Sequence, residues 1–487
     1  MTILFVYDDT HPVPESIRRI IGAAHYGDIM RRKRRLTELI RAVAEATPEC
    51  VFTHVRDARD VHEVCDRIER MPSSAKVFRL PSSLVPLKDR FPALVAKLPF
   101  ALDPVIYGSV AQLGDAPALL PRDEALAVMR ETDATERRKR LYAFEQQAIY
   151  VDTVYFLNIA HMSSFLKFMA GATESRHFNV MRQTQGVYRK WSSDVAKIRG
   201  EYRYFHIVDE EMKRFLLPTF DYAEENEGAA YSMEYMSVPD AAMQIQHNTF
   251  NEQSFARLLD HFFAFVKTRG RKAAPASEVR EAARREIVDK LDRRIVALRD
   301  MSSGRRLEAL LDIAGPHGTL SALVDRCKAL LFRAIDSSHI DYLALGHGDP
   351  CFSNILYNAD IDLFRLIDPR GADTREQAFM HPVYDLAKLS HSVQGGYDFV
   401  NGGLVECRID DSLRLSLTMD HGGPPAWMMQ AFRARLATEG WDEFLVRAIE
   451  ASLFLSMLPL HSDSLDKLPA FCLIAGDIIE RLENRSD

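Results

Sequence analysis

Cysteine is scarce in this chain of 487 residues. There are six, Cys50, Cys65, Cys327, Cys351, Cys407 and Cys472, and no two form a Cys-x-x-Cys pair. That spacing argues against a disulfide framework and against a thiolate-bound metal. Long apolar runs are missing too: none approaches the ~18 residues needed to span a bilayer. The opening "MTILFVYDDTHP" has no basic flank and reaches two aspartates after a few apolar residues, unlike a signal peptide. A cytoplasmic location without a membrane span is the expectation. Charge of one sign is not in excess. The formal net charge is -7, and phosphate neutralisation needs a concentrated basic surface, so no nucleic-acid partner is expected. The one basic run, "MRRKRR" (Met30 to Arg35), lies in a helix-like stretch and reads as a solvated face. Neither G-x-G-x-x-G nor G-x-x-x-x-G-K-[ST] occurs, so no phosphate-cradling turn of those types is visible.

What is present fits a folded protein of more than one domain. Hydrophobic residues make up 47% and charged residues 27%, near globular averages, and the length exceeds the usual ~50 to 250 residues of one domain. Nothing in the sequence sets the oligomeric state. Residues 1–155 alternate short apolar runs with helical periodicity, predicting an α/β Rossmann-like domain whose role is not legible. "ILFVYDD", "CVFTHVRD" and "AKVFRLPS" read as strands and "ESIRRIIGAAHYGDIMRRKRRLTELIRAVAEA" as one or two helices. Asp8 and Asp9 close the first strand as helix-entry and turn residues. A charged helical stretch then leads to a boundary near residue 155. Short strands follow, and the chain becomes mostly helical from about residue 250.

Chemistry gathers in "LGHGDPCFSNIL", Leu345 to Leu356. After the strand-like "YLAL", the loop holds His347, Asp349 and Asn354. "NILYN" and "LFRLID" then form a small hairpin that returns Asp368 to the end where Asn354 and Asp349 stand. Two carboxylates and an amide converging at one point suit phosphoryl transfer. That reaction needs a carboxylate to accept a hydroxyl proton, and hard oxygen ligands for magnesium. Asp349 fits the base, with Asn354 and Asp368 as magnesium ligands.

"HGDPCFSNIL", "RLIDPRG" and the later "HPVYDLAKL" together resemble the motifs of the aminoglycoside phosphotransferase and choline kinase group, small-molecule relatives of the protein kinases. The resemblance covers roughly residues 156–480. It implies an α+β, two-lobed protein-kinase-like fold, with a small β-rich lobe over 156–240 and a large helical lobe over 241–487. It also implies ATP and Mg2+ as cofactors and a small-molecule hydroxyl as acceptor. Asp385 corresponds to the residue that braces the catalytic loop in that group, and His347 reads as structural.

Upstream, such an enzyme needs a cation for the nucleotide phosphates and an acid on a helix to hold it. "GVYRKWSS" reads as a strand and "DVAKIRGEYRYFHIV" as a helix, so Lys190 with Glu201 is the expected pair. Arg189 and Lys197 compete for the cation role, but strand neighbours face opposite ways. "FLKFMAGATESRHFNVMRQTQG" reads as strand, loop, strand and turn, with Gly171, Ser175 and Asn179 carried over as nucleotide-binding residues. "AAYSMEYM" would present main chain from Glu234 to Met236 to the adenine edge. In the helical part, His391, Tyr397, Asp398, His461 and Asp463 interrupt apolar surroundings and are candidates for the acceptor pocket. Trp191, Trp427 and Trp441 do not cluster as a cage for a choline head group, so a sugar or sugar-like polyol is favoured over choline or ethanolamine. Surface-polysaccharide precursors are one source of such an acceptor. A catalytically silent nucleotide-binding scaffold is the alternative.

Overall fold

The computed structural model describes residues 2–31, 34–86, 90–151, 156–170, 179–184, 186–225, 227–462 and 467–484. The chain divides into two compact units, Met1–Ala172 and Thr173–Asp487. The division lies beyond the expected boundary near residue 155, because the strand Phe156–Asn158 pairs with Leu84–Pro86 in the first unit.

In the first unit the apolar run Ile3–Asp8 forms a wholly buried strand, flanked in parallel by Cys50–Val55 and Lys76–Pro81. Its side chains alternate between two cores. Ile3, Phe5 and Tyr7 join one, and Leu4 and Val6 the other, as a central strand covered on both faces requires. The Rossmann-like succession stops after these three strands. Ala118–Pro121 runs antiparallel to Lys76–Pro81, and Val105–Tyr107 antiparallel to Ala118–Pro121. The connection over 108–117 is shorter than the dozen or so residues a parallel crossover needs, so the sheet is mixed.

Three local expectations are corrected here. Met30–Arg31 and Arg34–Arg35 pair as short antiparallel strands rather than lying in a helix. A helix would set like charges three and four residues apart on one face. "FLKFMA" belongs to a helix, Met162–Ala170, because Phe165, Phe168 and Met169 recur at helical spacing and are buried together. Asp8 and Asp9 are not turn residues but fully buried. Burial alone would raise the Asp8 carboxyl, yet Arg79 at 2.6 Å and Arg137 bring it down to about 2. Asp9 accepts from the Gly27 amide at 3.1 Å and lies 3.1 Å from His54 Nε2.

The second unit opens with a four-stranded antiparallel sheet. Its order is Asn179–Thr184, Val187–Ser192, Gly228–Glu234, Thr219–Glu225. The helix Val195–Ile207, N-capped by the Asp194 carboxylate on Lys197 N, interrupts the strand sequence. Beyond Asp240 the unit is mainly helical. Glu252–Thr268 starts at a capping box between Asn251 and Ser254, and Glu443–Ser456 is buried along nearly its whole length. One large apolar core joins these helices to Leu320–Asp336 and Lys467–Glu483. Among the described residues no helix is long and apolar enough to cross a membrane.

Candidate active site

The strand Tyr342–Leu345 is held between Arg271–Ala273 and Phe379–Met380 and delivers the chain into the His-Gly-Asp loop. Gly348 has φ +81°, and a Cβ there would lie 2.7 Å from that of Arg370, so only glycine fits the turn. The buried Asp385 carboxylate fixes the loop. It accepts from the amides of His347 at 3.0 Å and Gly348 at 2.8 Å. Arg269 donates to it at 3.0 Å and also to the Pro382 carbonyl. His347 is fully buried; its Nδ1 accepts from the Asp349 amide at 3.3 Å, and burial lowers its pKa, which suits a neutral, positioning ring.

The hairpin of Ile355–Asn358 and Leu363–Leu366 closes the site's far side. Ile367 N donates to the Asn354 carbonyl at 3.0 Å and Arg370 N to the His347 carbonyl at 2.8 Å. These two bonds lash the Asp368 segment to the Asp349 loop. Asp368 itself has φ +55°, a conformation more open to Asp than to most residues, though still costly by roughly 1 kcal/mol or more. Asn354 Nδ2 donates to the Asp349 carbonyl at 2.8 Å. That leaves its amide oxygen as the group to offer a cation.

Lys190 joins this end of the site to the β-sheet. Its Nζ lies 2.7 Å from Glu201 Oε2 and 2.9 Å from Asp368 Oδ1, with both Lys190 and Glu201 almost wholly buried. Burial alone would lower the Lys190 ammonium, but Asp368 and Glu201 together hold it well above its ordinary value, so it stays charged. Tyr231 Oη donates to Glu201 at 3.2 Å. Of the competing cations, Arg189 as a strand neighbour faces the other side of the sheet, and Lys197 is half-buried and 3.8 Å from Glu201. Gly371, at φ +82°, packs against Gly200, and Ala372 N donates to the Gly200 carbonyl. The helix carrying Glu201 is thereby pinned to the segment carrying Asp368.

Asp349 has a partner that sequence reasoning missed. Lys388 Nζ lies 2.9 Å from Asp349 Oδ1. Burial would raise this carboxyl, but Lys388, then His347 and Arg370, hold it well below the usual carboxylate range. The available signal was the spacing in "YDLAKL": Lys388 follows Asp385 by three residues, and so shares its helix face. Arg269 lies 116 residues from Asp385 and left no local trace.

Asn354 and Asp368 offer the hard oxygens that magnesium takes. Asp368 is 30% exposed and turns one oxygen to Lys190, leaving the other for a cation. Among the described residues no three His, Cys, Asp or Glu side chains converge as a metal site. One carboxylate and one amide match a cation that arrives with phosphates, since magnesium commonly keeps phosphates and waters as its other ligands.

The remaining expected residues are less concentrated. Gly171, Ser175 and Asp463 lie outside the described residues, and Asn179 begins the first strand of the second unit's sheet opposite Ser192. Glu234 ends the strand before the helical part, and Met236 packs on the small core beneath the sheet. His391, Tyr397, Asp398 and His461 are buried in the helical core. There His391 stacks on Tyr397 at 4.4 Å and meets Phe454 at 4.0 Å. Burial pushes the Asp398 carboxyl up to about 7.

No family model matches the chain, and no curated protein matches it. Similar solved structures exist. One is a thermostable mutant of aminoglycoside phosphotransferase APH(4)-Ia in its apo form, 14% identical with a TM-score of 0.37, covering 66% of this chain and 100% of that one. A ternary complex of such a mutant with ADP and hygromycin B is 13% identical with the same TM-score and coverage. A further structure of aminoglycoside phosphotransferase APH(4)-Ia is 12% identical with a TM-score of 0.36, over 64% of this chain and 97% of that one.

Proposed function

We propose that the second unit transfers the γ-phosphoryl group of ATP to a hydroxyl of a small molecule, a sugar or sugar-like polyol. One observation carries the reading. A buried lysine contacts both an acid on the neighbouring helix and Asp368, while two backbone bonds tie the Asp368 segment to the loop of Asp349 and Asn354. Two stretches far apart in sequence, one carrying Lys190 and Glu201 and the other Asp349, Asn354 and Asp368, meet to produce this arrangement. A merely structural ion pair has no need of Asp349 and Asn354 beside it.

In this reading Lys190 binds the nucleotide phosphates, and Glu201 holds Lys190 in place. Asn354 and Asp368 would hold Mg2+, which when bound neutralises phosphate charge. Asp349 orients the acceptor hydroxyl. The hydroxyl oxygen bonds to the γ-phosphorus as the bond from that phosphorus to the β,γ-bridging oxygen breaks. The proton passes to Asp349 Oδ, and ADP leaves. Main chain from Glu234 to Met236 would meet the adenine edge.

The test is a labelled-ATP screen over sugars, sugar acids, sugar phosphates, choline, ethanolamine and aminoglycosides, repeated with Asp349→Asn. The variant should fold as the parent does and lose about 10²- to 10⁴-fold in turnover, the scale of a positioned general base. Equal rates in parent and variant would remove Asp349 from the chemistry.

A further inference from the structure

An open cleft of about 710 Å³ in the helical part of the second unit is lined by Arg285, Glu286, Lys290, Arg293, Arg294 and Arg370. Five cationic side chains and one acid face it, in a chain whose net charge is negative. The acid is partly committed elsewhere, since Glu286 Oε2 accepts from the His381 amide at 3.2 Å. Arg285 and Arg293 are exposed to solvent, and Arg285 Nη1 pairs with Glu281 at 3.0 Å.

The cleft adjoins the candidate catalytic loop through a shared residue. Arg370 N donates to the His347 carbonyl two residues before Asp349, and its guanidinium lies 4.4 Å from the centre of the Tyr384 ring. Lys290 Nζ donates to the Tyr384 hydroxyl at 2.9 Å. One helical turn beyond Tyr384, Lys388 reaches Asp349. Arg370, Lys290 and Lys388 thus surround Tyr384 between the cleft and Asp349, with Glu286 and Asp385 the further acids that act on Arg370.

The neighbouring groups register that potential. Burial would raise the Tyr384 hydroxyl, yet Arg370, Lys290 and Lys388 draw it down to about 8. The Lys290 ammonium sits below its ordinary value, through burial first and then through Arg370 and Lys388. Like charges crowded around one space are relieved by an anion entering it.

We infer that this cleft binds the anionic group of the phosphate acceptor, so that the acceptor is a hydroxylated small molecule carrying a phosphate or carboxylate. The inference rests on the phosphotransferase reading for the acceptor's role; the anion site itself does not. Guanidinium forks suit the planar or tetrahedral oxygens of either group. A cationic acceptor such as choline or an amino sugar is disfavoured by the same charges.

Two measurements on the full chain separate the claims. The first is calorimetric titration with inorganic pyrophosphate in the presence of saturating Mg2+ and a non-hydrolysable ATP analogue, which keeps the nucleotide site filled. The parent should bind, and Arg293→Ser combined with Arg285→Ser, both at exposed positions, should weaken binding about tenfold or more, the scale of a lost charge-assisted contact. Binding unchanged by the double substitution, or absent in the parent, overturns the anion site. The second is labelled-ATP turnover over matched sets: glucose, glucosamine, glucuronate and glucose 6-phosphate, then glycerol, glycerate and glycerol 3-phosphate. Phosphorylation should be confined to anionic members, with the double variant raising KM about tenfold at nearly unchanged kcat. Carboxylate and phosphate members distinguish the two forms of anion. A neutral or amino member used as well as its anionic partner overturns the inference. Pyrophosphate binding that depends on Arg285 and Arg293, with no acceptor turned over, upholds the anion site and counts instead against the phosphotransferase reading.

Discussion

Replacing Lys190 by methionine and Glu201 by leucine, singly and together, separates what the pair does for the fold from what it does for a nucleotide. The two charged groups are 2.7 Å apart, with side chains 1% and 3% exposed. Removing one partner of a buried pair costs about 3–5 kcal/mol, because the other charge is left without compensation. Glu201→Leu alone should fall near the lower end, about 3 kcal/mol, since Lys190 keeps Asp368 at 2.9 Å. The double variant removes both charges and restores similar volume. Such replacements are neutral or stabilising by about 1–4 kcal/mol, less about 1–3 kcal/mol for the Tyr231 hydroxyl that loses its acceptor. Its stability should therefore stay within about 3 kcal/mol of the parent. Urea denaturation at pH 7 measures this, and titration with magnesium and a non-hydrolysable ATP analogue measures the function. The double variant should fold as well as the parent yet bind the nucleotide at least about tenfold more weakly, a difference of about 1.4 kcal/mol. Nucleotide binding undiminished in a folded double variant would reduce the pair to a structural element and refute the assignment.

Two further outcomes need no substrate. Asp398 titrates near 7 in the fold against an ordinary 3.8, so the native state binds the extra proton between those values, and stability falls as pH rises from about 4 to about 7 and levels off above. At 1.36 kcal/mol per unit the loss is about 4 kcal/mol. Asp398→Asn should remove it, leaving stability at pH 4 nearly unchanged and raising it at pH 8; equal denaturation midpoints for parent and variant at pH 8 would contradict the buried assignment. Arg269→Met should cost about 3 kcal/mol, as Asp385 loses its buried partner, and should speed hydrogen exchange at the His347 and Gly348 amides. Unchanged exchange there would show that Arg269 does not hold the loop.

What could be read from the letters was what local periodicity dictates. The hairpin after the His-Gly-Asp loop brings Asn354 and Asp368 to one end because strand, turn and strand leave no other geometry. Strand alternation allowed only one of Arg189 and Lys190 to face the phosphates but did not say which; contact with Glu201 and Asp368 falls to Lys190. The failures have the same origin. "FLKFMA" is short and wholly apolar, and a run of that kind fits a buried helix as well as a strand. "MRRKRR" has a composition but no apolar period to fix its shape. Asp8 looked like a turn residue because its partners Arg79 and Arg137 lie 71 and 129 residues away. The basic cleft was invisible for the same reason: Arg285 to Arg294 look like the solvated face of a helix until Arg370 arrives from beside the metal-binding candidate.

The helix Tyr384–Val393 does two things one turn apart, and they bear on what Asp349 can do. Asp385 fixes the backbone of the loop and Lys388 fixes the charge of its carboxylate, so a displacement of the helix moves both together. An ammonium at 2.9 Å also opposes protonation, which makes Asp349 a weak base at neutral pH, whereas a general base acts best with a pKa near the working pH. Phosphoryl transfer tolerates this, because its loose transition state leaves the attacking hydroxyl only slightly acidified until late. In the proposed transfer Asp349 would contribute chiefly by accepting the hydroxyl's hydrogen bond and setting its line of approach, and would take the proton once the new bond to phosphorus has acidified it. A hydrolase that had to create a nucleophile from water at neutral pH would be poorly served by such a carboxylate. The Lys388 contact therefore favours transfer to a positioned alcohol over hydrolysis.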